Sequence, residues 1–354
     1  MKKPVSLTLA LMLALTALIV PAAADEAVIR NRTGMLTMLN ITEEEAVNHV
    51  KAITIALSQL VRHGQIDRTI NTSKDSVIFD TSVVYYDSLD AMLMALNAGD
   101  IDTLAVYWTV AQYLCANHDN LVQTVLRKQP EDTDCAAVEV YQNIVTADFS
   151  FMMLEGKEAL RDELNAAIAA IKEDGTLSKL EENHIEAAIA GQDIAPVAMP
   201  VIEGAETVRV AVTGSLPPMD YIAVGGTPAG FNTALLAEIS NRTGKNIELV
   251  QVDSVGRAAA LSGGTVDVVF WARVNSLADR IVSLTEEEKE AEKAQIDSGI
   301  PKEEEAILNQ FDLLFSPETA VMDTPEGTII TDAYYSDVYV PVTTKTYLET
   351  MNSL

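Results

Sequence analysis

Cysteine is almost missing from this chain: Cys115 and Cys135 are the two it has. Two are too few for a disulfide-built scaffold or a cysteine-rich zinc site. Histidine is as sparse, and His49, His63, His118 and His184 stand apart without metal-ligand spacing, so no metal centre is expected. Basic residues are outnumbered by acidic ones, 24 against 52, which leaves a net charge of −28. A surface of that sign repels nucleic acid and anionic lipid. Past residue 24 no apolar run is long enough to cross a bilayer. The chain also has no glycine-rich phosphate loop, because Gly225, Gly226 and Gly230 sit in a turn without the required spacing. A paired acid and base is missing too: Asp87, Glu238 and Asp253 have no partner at a useful interval. Catalysis, resident cofactors and nucleic-acid binding are therefore not expected.

What is present begins with a leader-like segment over residues 1–24. Lys2 and Lys3 precede an apolar stretch from Leu7 to Val20, and Ala22-Ala23-Ala24 supplies small residues before Asp25. This is the pattern of a secretory signal peptide, so the mature chain is expected to be soluble and outside the cytoplasm. In such an oxidising compartment Cys115 and Cys135 either pair across a modest loop or remain two partly buried thiols.

A short phrase occurs twice. Ala95-Leu96-Asn97-Ala98-Gly99-Asp100-Ile101-Asp102 returns as Ala260-Leu261-Ser262-Gly263-Gly264-Thr265-Val266-Asp267. Each copy closes a helical run, offers a glycine able to take a positive φ, and places a carboxylate before an apolar strand. A chain that does this twice is expected to hold two similar α/β lobes with a cleft between them, where a small molecule can bind.

The rest of the chain alternates strands and helices. Gly34 to Asn40 reads as a strand. Thr42 to Glu45 reads as a capping box opening a helix whose apolar stripe is Val47, Val50, Ile53, Ala56, Leu57, Leu60 and Val61. Strands are expected at 77–86, 103–108, 149–154, 208–213, 247–252 and 266–272, with helices at 88–99, 110–116, 157–172, 177–189, 231–243 and 255–261. Pro196, Pro200 and Gly204 mark 191–205 as a linker. Residues 285–309 are helical and strongly acidic, and read as a solvated insertion.

Four stretches resemble bacterial extracellular solute-binding proteins of the polar-amino-acid type (family 3), the receptors of ABC importers. They are the strand and Pro217-Pro218 loop from Val208 to Tyr221, the turn and helix from Pro228 to Leu236, the doubled phrase, and the closing helix from Leu160 to Thr176. The resemblance implies an α/β, two-lobed periplasmic-binding-protein fold with two mostly parallel sheets and a hinge. It also implies a periplasmic or secreted protein that binds a small-molecule solute, an amino acid or amine-like compound, and works with an ABC permease. The order of the pieces differs from the family's. A second-lobe-like region (25–145) and closing helices (146–190) precede the linker and the first-lobe-like region (206–345), with a tail at 346–354. A circular permutation fits this order. Two incomplete modules in tandem, or a swapped dimer, are the alternatives.

The resemblance also assigns ligand positions. Met219, with Tyr221 nearby, follows the Pro-Pro pair. Trp271, Arg273, Ser276 and Arg280 follow the first-lobe repeat, and either arginine suits a carboxylate. Thr42 matches the second-lobe loop that holds a carboxylate. Tyr107, followed by Trp108, stands where the family has an acid for the ligand ammonium, which puts an ordinary α-amino acid in question. Two other functions fit the same scaffold: a dehydratase- or lyase-like enzyme, and a degenerate surface-interaction module.

Overall fold

The computed structural model describes residues 26–36, 65–68, 76–127, 145–253, 256–274 and 326–353, with Val47, Val50, Ile53, Ala56, Leu57, Leu60, Val61 and Gln142. The leader-like segment, Thr42, Cys135, Ser276, Arg280 and the acidic stretch 285–309 lie outside the described residues.

The chain enters on β1 (Glu26–Leu36), passes a short β2 (Ile66–Arg68) and returns as β3 (Ser76–Tyr86). Between β1 and β2, the described residues of the expected apolar stripe are helical. Val50, Ile53, Ala56, Leu57 and Leu60 are buried, as a 3.6-residue period requires. Helix α1 (Leu89–Ala98) is capped by the Ser88 hydroxyl, which accepts from the Ala91 amide, and ends at Gly99 with φ 76°. Then come β4 (Thr103–Tyr107), α2 (Trp108–Asn117), β5 (Leu121–Gln123), β6 (Val125–Arg127) and the long β7 (Thr146–Leu154). Helix α3 (Glu158–Glu173) is followed by α4 (Thr176–Glu181), which runs through a π-turn at Glu182–Glu186 into α5 (Ala187–Ile189).

After the linker come β8 (Thr207–Val212), the small ribbon β9 (Ser215–Leu216), β10 (Asp220–Ile222) and β11 (Pro228–Ala229), and helix α6 (Phe231–Thr243). Strand β12 (Asn246–Gln251), α7 (Arg257–Ser262) and β13 (Val268–Val274) complete that region. The chain closes with β14 (Thr328–Ile330), β15 (Tyr335–Thr344) and α8 (Lys345–Asn352).

Ten of these strands make one mixed sheet in the order β12-β8-β13-β7-β15-β4-β1-β3, with β14 on β7 and β5 on β15, while β9–β11 and the β2–β6 pair stand apart from it. The two expected parallel sheets are its two flanks. On one flank β12 and β13 run parallel to β8, and on the other β3 and β4 run parallel to β1. We call the β8 flank the first lobe and the β1 flank the second. They are joined by β7 and β15, which pair antiparallel with each other. Strand β15 pairs with β7 through Tyr335–Val338, then with β4 from Tyr339 to Thr343. One continuous strand thus hands over from one lobe to the other between Val338 and Tyr339. The antiparallel centre fits a chain that must leave each lobe and re-enter it, while β-α-β connections keep the flanks parallel.

Two expected boundaries move for physical reasons. Strand β1 starts at Glu26, well before Gly34, because its first half pairs along β3 and carries polar residues such as Arg30, Asn31 and Arg32 that give no apolar signal. Helix α2 starts at Trp108 because the buried Asp337 carboxylate of β15 accepts the Thr109 amide at 2.9 Å. That cap comes from more than two hundred residues away (228 along the chain), so local sequence cannot show it.

The doubled phrase has a structural meaning in both lobes. Asp102 accepts the Arg32 amide (2.8 Å), its Nε (2.9 Å) and its Nη2 (2.8 Å), while the Asp102 amide donates to the Arg32 carbonyl. Asp267 makes the same four bonds with Arg209, its carboxylate accepting three of them at 3.0 Å. Each brace ties the turn after a helix to the first strand of its own sheet. A bidentate guanidinium–carboxylate pair locked to backbone on both sides is among the stronger polar contacts a half-exposed joint can carry.

The linker is pinned to the first lobe. Asn246 accepts the Ile202 amide and donates to the Ile202 carbonyl, and the Val197 amide donates to the Pro228 carbonyl.

Candidate functional site

Where β13, β7, β15 and β4 run side by side, their side chains meet in an aromatic cluster between the lobes. Tyr107 at the end of β4 lies directly opposite Tyr339 on β15, and the Tyr339 hydroxyl donates to that of Tyr107 at 2.9 Å. The Tyr107 ring packs at 4.6 Å on Tyr339 and at 4.7 Å, edge-on, against Phe149 of β7. Phe149 in turn touches Tyr335 and Tyr334. Tyr334 is buried, stacks on Phe151 and donates its hydroxyl to Asn232 at the start of α6. Burial pushes the Tyr107 phenol up to about 12 and Tyr339 well above its usual range, so both stay neutral at physiological pH.

Charged groups surround this cluster. Arg257, in the first turn of α7, is half-buried, and its Nη1 donates to the Phe270 carbonyl of β13 at 3.3 Å. Its charge lies within reach of Tyr107, Tyr339 and Asp220, while burial lowers its affinity for the proton. Asp220 is buried under the Pro-Pro loop, where its Oδ1 accepts from the Thr213 hydroxyl and the Gly214 amide. Burial pushes its carboxyl above the usual range, and those bonds oppose the rise. Asp337 caps α2, and its Oδ1 also takes the Val338 amide.

The residues proposed from sequence are distributed as follows. Met219 is fully buried in the core beside the chain turn at Gly230, where φ is 103° and any Cβ would collide with the Met219 and Pro218 carbonyls. Tyr221 is half-buried on β10 and lies within electrostatic reach of Tyr113 on α2, across the lobes. Trp271 and Arg273 sit on β13 opposite Ser150 and Asp148 of β7. Trp108 is buried as the first residue of α2, next to Tyr107. Cys115 is half-buried, and burial pushes its thiol up to about 11. Glu238 is bound by Arg242, and Asp253 accepts the Gly256 amide, so both serve local structure. Among the described residues no group of His, Cys, Asp and Glu is placed to hold a metal, and no helix is long and apolar enough to cross a membrane.

Sequence reasoning passed over Arg257, Tyr339 and Asp337. For Arg257 a signal existed: a cation in the first turn of a helix opposes the helix dipole and calls for a reason. For Tyr339 and Asp337 there was none, because their partners come from β4 and α2, far along the chain.

The loop over Asp220, the doubled-phrase joint and β13 fall in a segment with a recognised signature. Residues 208–280 match the bacterial extracellular solute-binding proteins, family 3. The matched segment spans β8 to β13, the first lobe and its side of the cluster. No curated protein matches the chain in sequence. Solved structures similar in outline include the periplasmic aliphatic sulphonate binding protein SsuA from Escherichia coli (11% identity, 91% of this chain and 63% of that one, TM-score 0.31). Others are the zinc-bound ligand-binding component of an ABC-type import system from Staphylococcus aureus (10%, 87% and 86%, 0.36) and the GluR0 ligand-binding core from Nostoc punctiforme with L-glutamate (8%, 91% and 90%, 0.32). The chain thus spans under two thirds of the sulphonate-binding protein. All are distant likenesses, and no ligand is carried over from them.

A cavity of about 10 Å³ between α3, α6 and the sheet, lined by Phe151, Leu164, Leu236 and Ile239 among others, has no room for a solute. The place where the two lobes converge is the Tyr107–Arg257 cluster.

Proposed function

We propose that this chain is an extracytoplasmic receptor that closes two lobes over a small polar solute and delivers it to an ABC importer. The observation that carries the reading is that a family 3 segment forms one lobe while the other lobe repeats its phrase and its Arg–Asp joint. Two strands, β7 and β15, cross between the lobes, as a hinge needs. Binding without turnover is the natural use of this arrangement, since Glu238 and Asp253 are engaged in local structure.

We further propose that the chain is a circular permutant of the family order. In support, β7 leads from the second lobe into the first and β15 leads from the first into the second. The Tyr347 hydroxyl of the last helix donates to the Arg30 carbonyl of the first strand at 3.2 Å, so the two ends of the described chain adjoin. A chain cut in the linker and joined between 353 and 26 is expected to fold and bind as the natural one does. Failure of that recut chain to fold would favour tandem modules or a swapped dimer.

The function is tested on the purified mature chain, by mass spectrometry of what remains bound and by melting against a panel of small solutes. Saturation by a true solute raises the melting temperature by linkage. A panel of amino acids, amines and carboxylates that leaves melting unchanged, with nothing retained, would sink the receptor reading. Turnover of a cyclic hydroxy acid would replace it with the lyase-like one.

A further inference from the structure

We propose that β3 is a docking edge for a second copy of this chain, the two β3 strands pairing antiparallel about a two-fold axis at Thr81. The proposal stands apart from the receptor reading, and it starts from the outer strands of the two lobes.

The first lobe ends its flank of the sheet on β12, and the second ends on β3. Strand β12 is six residues long and carries the exposed Glu248. Strand β3 is eleven residues long, and Asp80 is its one charge. Short length and charge are what blunt a sheet edge against pairing, and β3 has little of either. Val83 is buried while Val84 stays exposed, so the period of two turns residues 82 and 84 outward.

The strands beside them differ as well. Before Arg209, β8 has only residues 207–208, and β13 joins it from Val210. Before Arg32, β1 has residues 26–31, all paired with β3, and β4 joins only at Thr33. The second lobe thus sends out a parallel ribbon of 26–32 with 76–82 that no third described strand flanks. Two strands alone are marginal in water, and parallel strands are normally covered. On the β1 side the Arg30 carbonyl takes the Tyr347 hydroxyl of α8. On the β3 side no described strand follows.

The order of residues in β3 selects the occupant. The midpoint of Ser76–Tyr86 is Thr81, within the polar triad Asp80-Thr81-Ser82. Val77-Ile78-Phe79 precedes that triad and Val83-Val84-Tyr85 follows it. The strand reads alike in both directions, so antiparallel pairing with its own copy overlaps its whole length. Residue 78 then falls opposite 84, and 79 opposite 83, pairs of β-branched and aromatic types that suit a ladder. Asp80 falls opposite Ser82, so no carboxylate directly opposes its own copy. A two-fold contact demands this self-complementarity, whereas a strand of another protein does not. The ribbon of two strands becomes a set of four. Each copy carries a net charge of −28, so repulsion at long range opposes the pairing and salt strengthens it.

The test is sedimentation equilibrium on the purified chain in low and high salt, with oxidative cross-linking to read the register. A dimer is expected, tighter in high salt. Val84→Lys is expected to weaken it by about tenfold or more at an unchanged melting temperature. Thr81→Cys is expected to form a disulfide between copies, because directly opposed antiparallel residues lie about 4.5–5.5 Å apart, within disulfide reach. Val201→Cys, on the exposed linker, is expected to form none. A wild-type chain that stays monomeric in both salts overturns the proposal. A dimer that Val84→Lys leaves as tight also overturns it. So does Thr81→Cys that cross-links no more than Val201→Cys, even where Val84→Lys fails to fold.

Discussion

In the second lobe Arg32 clasps Asp102, and in the first Arg209 clasps Asp267, with the same backbone bonds on either side. The two joints differ in tightness. Arg32 is the less exposed guanidinium (27% against 37%) and its bonds are 2.8–2.9 Å long, where those of Arg209 are 3.0 Å. They also differ in filling. Two residues past each arginine the second lobe has Gly34 and the first Ala211. One residue before each aspartate the second lobe has Ile101 and the first Val266. A methyl absent from the strand in one lobe is present on the facing side chain. A Cβ on Gly34 would come within 2.5 Å of the Ile101 Cδ1, the very carbon that valine lacks. The lobes keep one joint and one volume, and distribute that volume differently.

The comparison can be broken most heavily at the carboxylates. Asp102→Ala is expected to cost about 2–3 kcal/mol in urea unfolding, because it strands the Arg32 amide and guanidinium together. Asp267→Ala, at the more exposed joint, should cost about 1–2 kcal/mol. Equal losses would show that exposure does not set the difference. Next comes the volume exchange. Gly34→Ala alone should cost about 1–3 kcal/mol by overpacking. Gly34→Ala with Ile101→Val recreates the first lobe's pair and should recover all but ~1 kcal/mol. An additive double mutant would refute the exchange.

Acid sharpens the same contrast. Burial would raise Asp102 and Asp267, but the bonds and charge of Arg32 and Arg209 carry both below the usual carboxylate range. Since the folded values lie below the unfolded ones, the stabilisation is full above about pH 5 and drains away as pH falls through 4 and lower. Asp102→Asn and Asp267→Asn should flatten that part of the stability curve. The smallest effect is expected at His184, whose Nδ1 is buried without a hydrogen-bond partner among the described residues and whose protonation is disfavoured by burial. Below about pH 6.5 the unfolded chain takes up a proton that the folded one resists, so stability declines toward pH 5. His184→Gln should remove that decline and leave the acid limb in place.

Much of this fold was legible because periodicity and turn chemistry are local. The stripe from Val47 to Val61, the Ser88 cap with the Gly99 stop, and each copy of the doubled phrase span no more than about four helical turns. The phrase itself was visible, yet the reason for its aspartate was not. Arg32 lies 70 residues from Asp102, and Arg209 lies 58 from Asp267. The same limit governed the candidate site. Met219 follows a Pro-Pro pair and was expected beside a ligand, whereas the turn at Gly230 holds it in the core. Arg257 was read as one residue of a helix because its company, Phe270, Tyr107 and Tyr339, comes from three different strands.

The handover of β15 from β7 to β4 falls at Tyr339, the residue whose hydroxyl reaches Tyr107. That tyrosine pair therefore sits at the seam where one strand passes from one flank of the sheet to the other. A lever pushed near its pivot moves little there and far at its tips. An ångström gained or lost at the Tyr107–Tyr339 pair would be read at the outer strands β12 and β3 as a much larger displacement.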